Sequence, residues 1–153
     1  MKAFQNCQLL PVFLLLFVFS FSWGQDTTKV ENSVALAEND PNLNWGPCPE
    51  FMPQGCSLAV LHGNPADKNA DLFLKIPANT DISNHTHTSA ERMILVAGEM
   101  EVTYEGEKTQ HLKAGSYAYG PANKPHTARC GNIPCLLFIA FEEPVDAIPV
   151  AKN

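Results

Sequence analysis

At 153 residues the chain has room for one domain and little else. Ten basic against sixteen acidic side chains leave a formal charge of −6 at pH 7, which argues against nucleic acid and anionic membrane as partners. The charge carries no information about a small-molecule substrate.

The first element in chain order is not part of a folded domain. Lys2 precedes an almost wholly apolar run from Leu9 to Trp23, "LLPVFLLLFVFSFSW", and Ser22 and Gly24 place small residues at the −3 and −1 positions of a cut before Gln25. That is the layout of a cleavable secretory signal, and the run is short for the span of about 20 residues that an uncleaved anchor needs. Residues 1–24 are therefore expected to be a signal peptide. The mature chain would be secreted or periplasmic and would have no membrane partner after cleavage. Cys7 lies ahead of the apolar run, so it is not read as a lipoprotein site. Cleavage removes one lysine and no acid, leaving nine cations against sixteen anions, a charge of −7.

Residues 25–44 are polar, without sustained period, and are read as a flexible leader. From Trp45 short β-type segments follow one another, broken by Gly, Pro and Asn: 57–63, 71–77, 92–98, 99–107, 116–121, 126–130 and 135–143. Nothing between Trp45 and Pro144 sustains a helical period. Regularly spaced short strands predict an all-β barrel or sandwich over residues 45–145, with an irregular tail at 146–153.

Four cysteines remain after export: Cys48, Cys56, Cys130 and Cys135. An oxidising compartment and the absence of any CxxC favour disulfides over a metal site. Four cysteines allow three pairings, of which the local ones are the simplest. "CGNIPC" has a turn-like centre that would join Cys130 to Cys135, and "CPEFMPQGC" would close a small loop from Cys48 to Cys56.

The stretch "NHTHTSAERMILVAG", Asn84 to Gly98, carries the chemistry. Residues two apart on a strand point the same way, so His85 and His87 can grip one ion, and Glu91 lies at a further even offset. A lone HxH is more often a pair of surface histidines. The later segment "AGSYAYGPANKPH", Ala114 to His126, changes the balance, because here the chain resembles the cupin superfamily. The motif G-x5-H-x-H-x3-E-x6-G is matched at His85, His87, Glu91 and Gly98, with Asn79 in place of its first glycine. The motif G-x5-P-x-G-x2-H-x3-N is matched at Gly115, Pro121 and His126, with Asn123 and Cys130 in place of its second glycine and final asparagine. Asparagine tolerates the left-handed backbone best after glycine, so both turns can survive. Cys130 shares the parity of His126 and would face the interior, most simply as half of a disulfide.

The resemblance covers about residues 45–145. It implies a single jelly-roll β-barrel in which His85, His87, Glu91 and His126 hold one divalent transition metal: Fe, Mn, Ni, Co or Zn. Four protein ligands leave one or two coordination positions open if the ion is five- or six-coordinate, and open positions are what a catalytic site has and a closed structural one lacks. The implied function is a metal-dependent oxidoreductase or lyase (dioxygenase, decarboxylase, lyase or isomerase type) acting on a small oxygen-rich molecule, with Glu91 a candidate proton shuttle. The alternatives are a non-catalytic module that binds or senses a small ligand, and a barrel that the metal merely stabilises. The resemblance also implies a homodimer. Arg92 is expected on the exterior, Met93 and Leu95 in the barrel, and Phe73, Phe138 and Phe141 in the core. Tyr104, Tyr117 and Tyr119 are read as packing residues with a satisfied hydroxyl rather than ligand contacts, and His62 and His111 as surface.

Overall fold

A strand whose side chains alternate in polarity has one apolar face, and two sheets of such strands hide those faces by packing on each other. The computed structural model describes residues 31–151, and from Val34 onward they form one compact unit. The expected signal peptide and the first residues of the leader lie outside the described residues. Eleven strands follow in order: β1 (Trp45–Pro47), β2 (Ser57–His62), β3 (Ala70–Ile76), β4 (Asp81–Thr86), β5 (Glu91–Ala97), β6 (Glu99–Tyr104), β7 (Gln110–Lys113), β8 (Tyr117–Gly120), β9 (His126–Cys130), β10 (Cys135–Phe141) and β11 (Ile148–Pro149). There is no helix among the described residues. A six-stranded sheet in the order β1-β2-β3-β10-β5-β8 faces a five-stranded sheet in the order β11-β4-β9-β6-β7, every pairing antiparallel. This is the all-β jelly-roll barrel that the strand pattern and the two motifs imply.

Register arranges the barrel interior in layers. Across the six-stranded sheet Ala70, Phe141, Glu91 and Gly120 stand opposite one another, and across the other sheet His85, His126 and Tyr104 do. Two residues further along come Leu72, Ile139, Met93 and Ala118, facing Ile82, Ala128 and Val102. A third layer contains Leu74, Leu137 and Leu95, facing Met100 and Cys130. The polar groups therefore gather in one layer at one end, above two layers of hydrocarbon.

The turns that deliver these strands rest on the two asparagines. Asn79 and Asn123 both have the left-handed backbone, with φ of 57° and 59°, which only glycine, asparagine and aspartate adopt at low cost. The Asn79 N–H bonds to the Gly131 carbonyl at 2.6 Å, and the Asn123 N–H to the His87 carbonyl at 2.7 Å, so the second turn is tied directly to the HxH segment. Gly98, at φ +92°, has no room for a Cβ: it would lie 2.8 Å from the Pro134 carbonyl oxygen. Disulfides join Cys48 to Cys56 and Cys130 to Cys135, the two local pairings.

Several expectations need correction. Phe141 and Leu95 are core, but Phe73 and Phe138 are half-buried, paired with each other on the outer face of the six-stranded sheet. Phe73 stacks there on Trp45, ring centroids 6.5 Å apart, because an odd residue between inward Leu72 and Leu74 must point out. The tail is not wholly irregular, since β11 pairs with β4 and aligns Ile148 with Thr86 and Pro149 with His85.

Candidate metal centre

His85 lies near the end of β4, opposite His126 at the start of β9. His87 follows β4 in the short link 87–90, and Glu91 opens β5 in the other sheet. Glu91 therefore does not continue the strand of the HxH pair. The link crosses from one sheet to the other, and Ser89 fixes the crossing: its buried hydroxyl donates to the Ala90 carbonyl and accepts from the Glu142 and Glu143 N–H groups at 2.9 and 3.0 Å. The four residues so delivered are all buried. His85, His87 and His126 bring their candidate ligand atoms within 4.8 Å of one another. The Glu91 carboxylate closes the fourth side, 3.6 Å from His87 Nε2 and 3.4 Å from His126 Nε2.

Each imidazole is oriented by a backbone carbonyl. His85 Nδ1 bonds to the Ser83 carbonyl at 2.8 Å, His126 Nδ1 to the Lys124 carbonyl at 3.1 Å, and His87 Nδ1 to the Asp146 carbonyl by a short bond. A carbonyl only accepts, so each Nδ1 carries the proton and each Nε2 keeps its lone pair for the interior. Carbonyls that fix the non-ligating nitrogen are what hold histidines ready for a metal. Electrostatics agree with that state. Burial lowers His85 to about 4 and His126 to about 3, the neighbouring imidazoles adding to the effect, so both rings stay neutral at pH 7. Burial raises Glu91. Three imidazoles presenting Nε2 beside one buried carboxylate fit a divalent ion.

Further residues shape the centre without being legible as part of it. Tyr104, buried and across β9 from His126, donates its hydroxyl to Glu91 Oε1 at 3.4 Å, and burial beside that carboxylate raises its phenol. Gly120 stands opposite Glu91, and a Cβ there would lie 2.6 Å from the Tyr104 hydroxyl and 2.7 Å from Glu91 Oε1; only glycine leaves this pair its space. Asp146 comes from the C-terminal segment. Besides its carbonyl on His87, its carboxylate accepts from the Thr88 N–H at 2.9 Å and the Thr88 hydroxyl at 2.7 Å. Gly120 had a weak signal in its place before the Pro121 turn. Asp146, 59 residues from its partner, had none.

The remaining candidates sort as their parity required. Arg92 points outward and pairs with Glu142, Met93 lines the cavity, and Leu95 is fully buried. Tyr117 and Tyr119 lie on the exterior, 60% and 51% exposed. His62 and His111 are also at the surface, His111 within 3.3 Å of Glu101.

Below the four polar residues the barrel holds a cavity of about 420 Å³. Its walls come from both sheets, from the disulfide loop through Cys48, Pro49 and Met52, and from the C-terminal segment through Val145, Asp146 and Ala147.

A jelly-roll barrel with three histidines and a carboxylate converging at one end defines a cupin. More narrowly, residues 36–144 match the ChrR cupin-like domain, and the chain belongs to that family. It is 26% identical over 104 residues to dimethylsulfoniopropionate lyase DddQ of Ruegeria pomeroyi, an alignment covering 66% of this chain and 52% of that protein; the chain thus spans about half the length of this relative. The crystal structure of the same lyase superposes with a TM-score of 0.62 at 20% identity, over 71% of this chain and 61% of that one. The polyketide cyclase RemF of Streptomyces resistomycificus gives 0.64 at 17% identity, over 80% and 88% of the two chains. A deletion mutant of the Bacillus subtilis oxalate decarboxylase OxdC gives 0.59 at 14%, over 71% and 30%. At these identities the structural likeness speaks for the fold.

Proposed function

We propose that the protein is an exported, metal-dependent cupin enzyme that turns over a small molecule, with His85, His87, Glu91 and His126 holding one divalent transition metal. The observation that carries this reading is the set of three buried imidazoles, each with Nδ1 tied to a carbonyl and Nε2 left for a shared centre beside a carboxylate. Such an ion, if five- or six-coordinate, would have a position free beyond the four side chains and would supply Lewis-acid chemistry to a substrate oxygen there. Among the reactions this donor set allows, elimination and decarboxylation have the support of the relatives, a lyase and a decarboxylase by name. Glu91 is the candidate proton carrier. It faces the cavity, and Tyr104 holds Oε1 while Oε2 is turned to the shared centre. The oxygen atoms of a substrate would sit at this polar end.

Metal content by mass spectrometry, followed by turnover assays on small carboxylic acids, tests the proposal. About one transition metal per chain, lost in both His85→Ala and His126→Ala, is expected. Full occupancy in both variants would overturn the ligand assignment. A second reading, a binding or sensing module without turnover, is favoured by one observation: among the described residues Asp146 is the only acidic side chain lining the cavity besides Glu91, and its carboxylate is engaged by Thr88. Metal-dependent ligand binding without product would select it.

Export and homodimerisation belong to the same proposal. The 1–24 signal pattern and the two disulfides support export, and an N-terminus at Gln25 in protein recovered from the extracellular or periplasmic fraction would establish it. The exposed Ile94, Val96, Tyr117 and Tyr119 on β5 and β8 support self-association; sedimentation of a monomer at micromolar concentration would refute it.

A further inference from the structure

We infer that the substrate is a molecule with one oxygen-bearing, singly anionic head and an otherwise uncharged hydrocarbon body. This inference rests on the metal-centre reading for the head and on the cavity walls alone for the body. Of the side chains lining the cavity, His85, His87, Glu91, His126 and Asp146 are polar or charged. All lie at the metal end, and Asp146 is turned to Thr88. The remainder is uncharged hydrocarbon, thioether and the Cys48 disulfide sulfur, with Leu72, Ile82, Met93 and Ile139 in the second layer and Leu74 and Leu137 in the third. Among the described residues no lysine, arginine, serine, threonine, asparagine or glutamine lines it.

Charge and distance then limit the ligand. A divalent ion with three neutral imidazoles and one carboxylate carries a net charge of +1, which one carboxylate or enolate head neutralises. The third layer lies four residues along the strands from Glu91 and Phe141, roughly 13 Å at the strand rise. A second anion reaching that depth would meet only leucine and methionine, and a buried charge without a partner is strongly disfavoured. A short diacid filling only the polar end would leave the two apolar layers unused.

The test compares ligands that share a carboxylate head. Zinc-loaded protein is titrated with octanoate, suberate (the same chain with a second terminal carboxylate) and acetate by calorimetry. Octanoate is expected to bind at least about 100-fold more tightly than acetate, since six more methylenes are buried, and at least about 100-fold more tightly than suberate. Suberate or acetate binding as tightly as octanoate overturns the inference. Leu74→Lys places a cation in the third layer at a half-buried site; it is expected to raise suberate affinity at least about tenfold relative to octanoate, and an unchanged ratio overturns the assignment of the far end.

Zinc content, measured first, reads the metal proposal separately. If no zinc is held, the walls are read on metal-free protein with 1-octanol against 1,8-octanediol. A preference of at least about tenfold for the monoalcohol sustains the hydrocarbon body and rejects the metal-dependent function. Equal binding rejects the body as well.

Discussion

Deleting residues 146–153 should cost the centre its metal affinity while leaving the barrel folded. The deletion removes the carbonyl that accepts from His87 Nδ1, the carboxylate that accepts twice from Thr88, the β11 pairing with His85 and Thr86, and the Val150 N–H bond to the Asn84 carbonyl at 2.9 Å. None of these residues is among the four candidate ligands. What they do is hold His87, the one histidine outside a strand, and select the tautomer whose lone pair is on Nε2. Loss of an orienting partner of this kind typically weakens metal binding about 10- to 100-fold, and the deletion, which also frees the β4 edge, should fall near 100-fold. Asp146→Ala keeps the carbonyl and removes only the carboxylate, so about tenfold is expected, with about 1.5–3 kcal/mol of stability lost from two bonds to an ionised, half-buried acceptor. Competition for zinc against a chromogenic chelator reads the affinity, and urea unfolding of the same samples reads the fold. A deleted protein that unfolds cooperatively and keeps the parent zinc affinity would refute the reasoning, since His87 would then need no C-terminal partner.

Gly120→Ala should force Glu91 and Tyr104 apart, lowering zinc affinity at least about tenfold and stability by about 1–3 kcal/mol; an unperturbed chelator competition would show that Glu91 has slack to move. The metal-free protein should lose stability as pH falls. His85 and His126 have folded values near 4 and 3, below the unfolded 6.5, so the unfolded chain binds more protons between pH 6.5 and 3 and gains relative to the native one. Glu91, raised in the fold, works the other way: its contribution is complete below its unfolded 4.5 and lost as pH rises through the folded value. Urea midpoints that do not change between pH 6.5 and 4 in Glu91→Gln, where the opposing slope is absent, would contradict neutral buried histidines. Thiol titration of the exported protein should find no free cysteine. Replacing Cys48 and Cys56 together by alanine should cost about 2.5 kcal/mol, from a loop of about nine residues, and two or more reactive thiols per chain would exclude the pairing.

What could be read from the sequence followed from local physics. β5 and β6 alternate in burial, and Glu91, Met93 and Leu95 lie inward where parity put them, whereas the wholly apolar β10 has a register shift between Leu136 and Leu137 and gave no such signal. Asn79 and Asn123 signalled left-handed turns because they stand where the cupin motifs carry glycine, and asparagine tolerates that backbone. β4 did not appear among the strand candidates for a structural reason: a register shift between Ile82 and His85 breaks its period, and its inward positions are spent on ligands instead of aliphatics. β7 offers a single buried apolar residue, Leu112, and β1 and β11 are three and two residues long, too short for a period to register.

The centre divides along the same line. His85, His87 and Glu91 share a seven-residue window that suggests an ion site, and the resemblance to the two cupin motifs is what added His126 and nominated the four together. Which sheet each comes from was not recoverable, because the even offset of Glu91 from His87 fits an extended strand as well as a link that crosses the barrel. Ser89 decides it, by holding the ends of β10 through contacts 53 and 54 residues away. Gly120 and Asp146 belong to that second kind of information, fixed by cross-strand register and chain return. The apolar depth of the cavity is legible only once register is known, since Leu72, Met93 and Ile139 look like ordinary core in sequence and become walls when the layer above them is seen to be polar. Placing the reactive groups in one layer at the end of a hydrocarbon barrel raises Glu91 and keeps His85 and His126 neutral. The same desolvation that prepares the donors for a cation therefore also decides that only one end of a ligand can be charged.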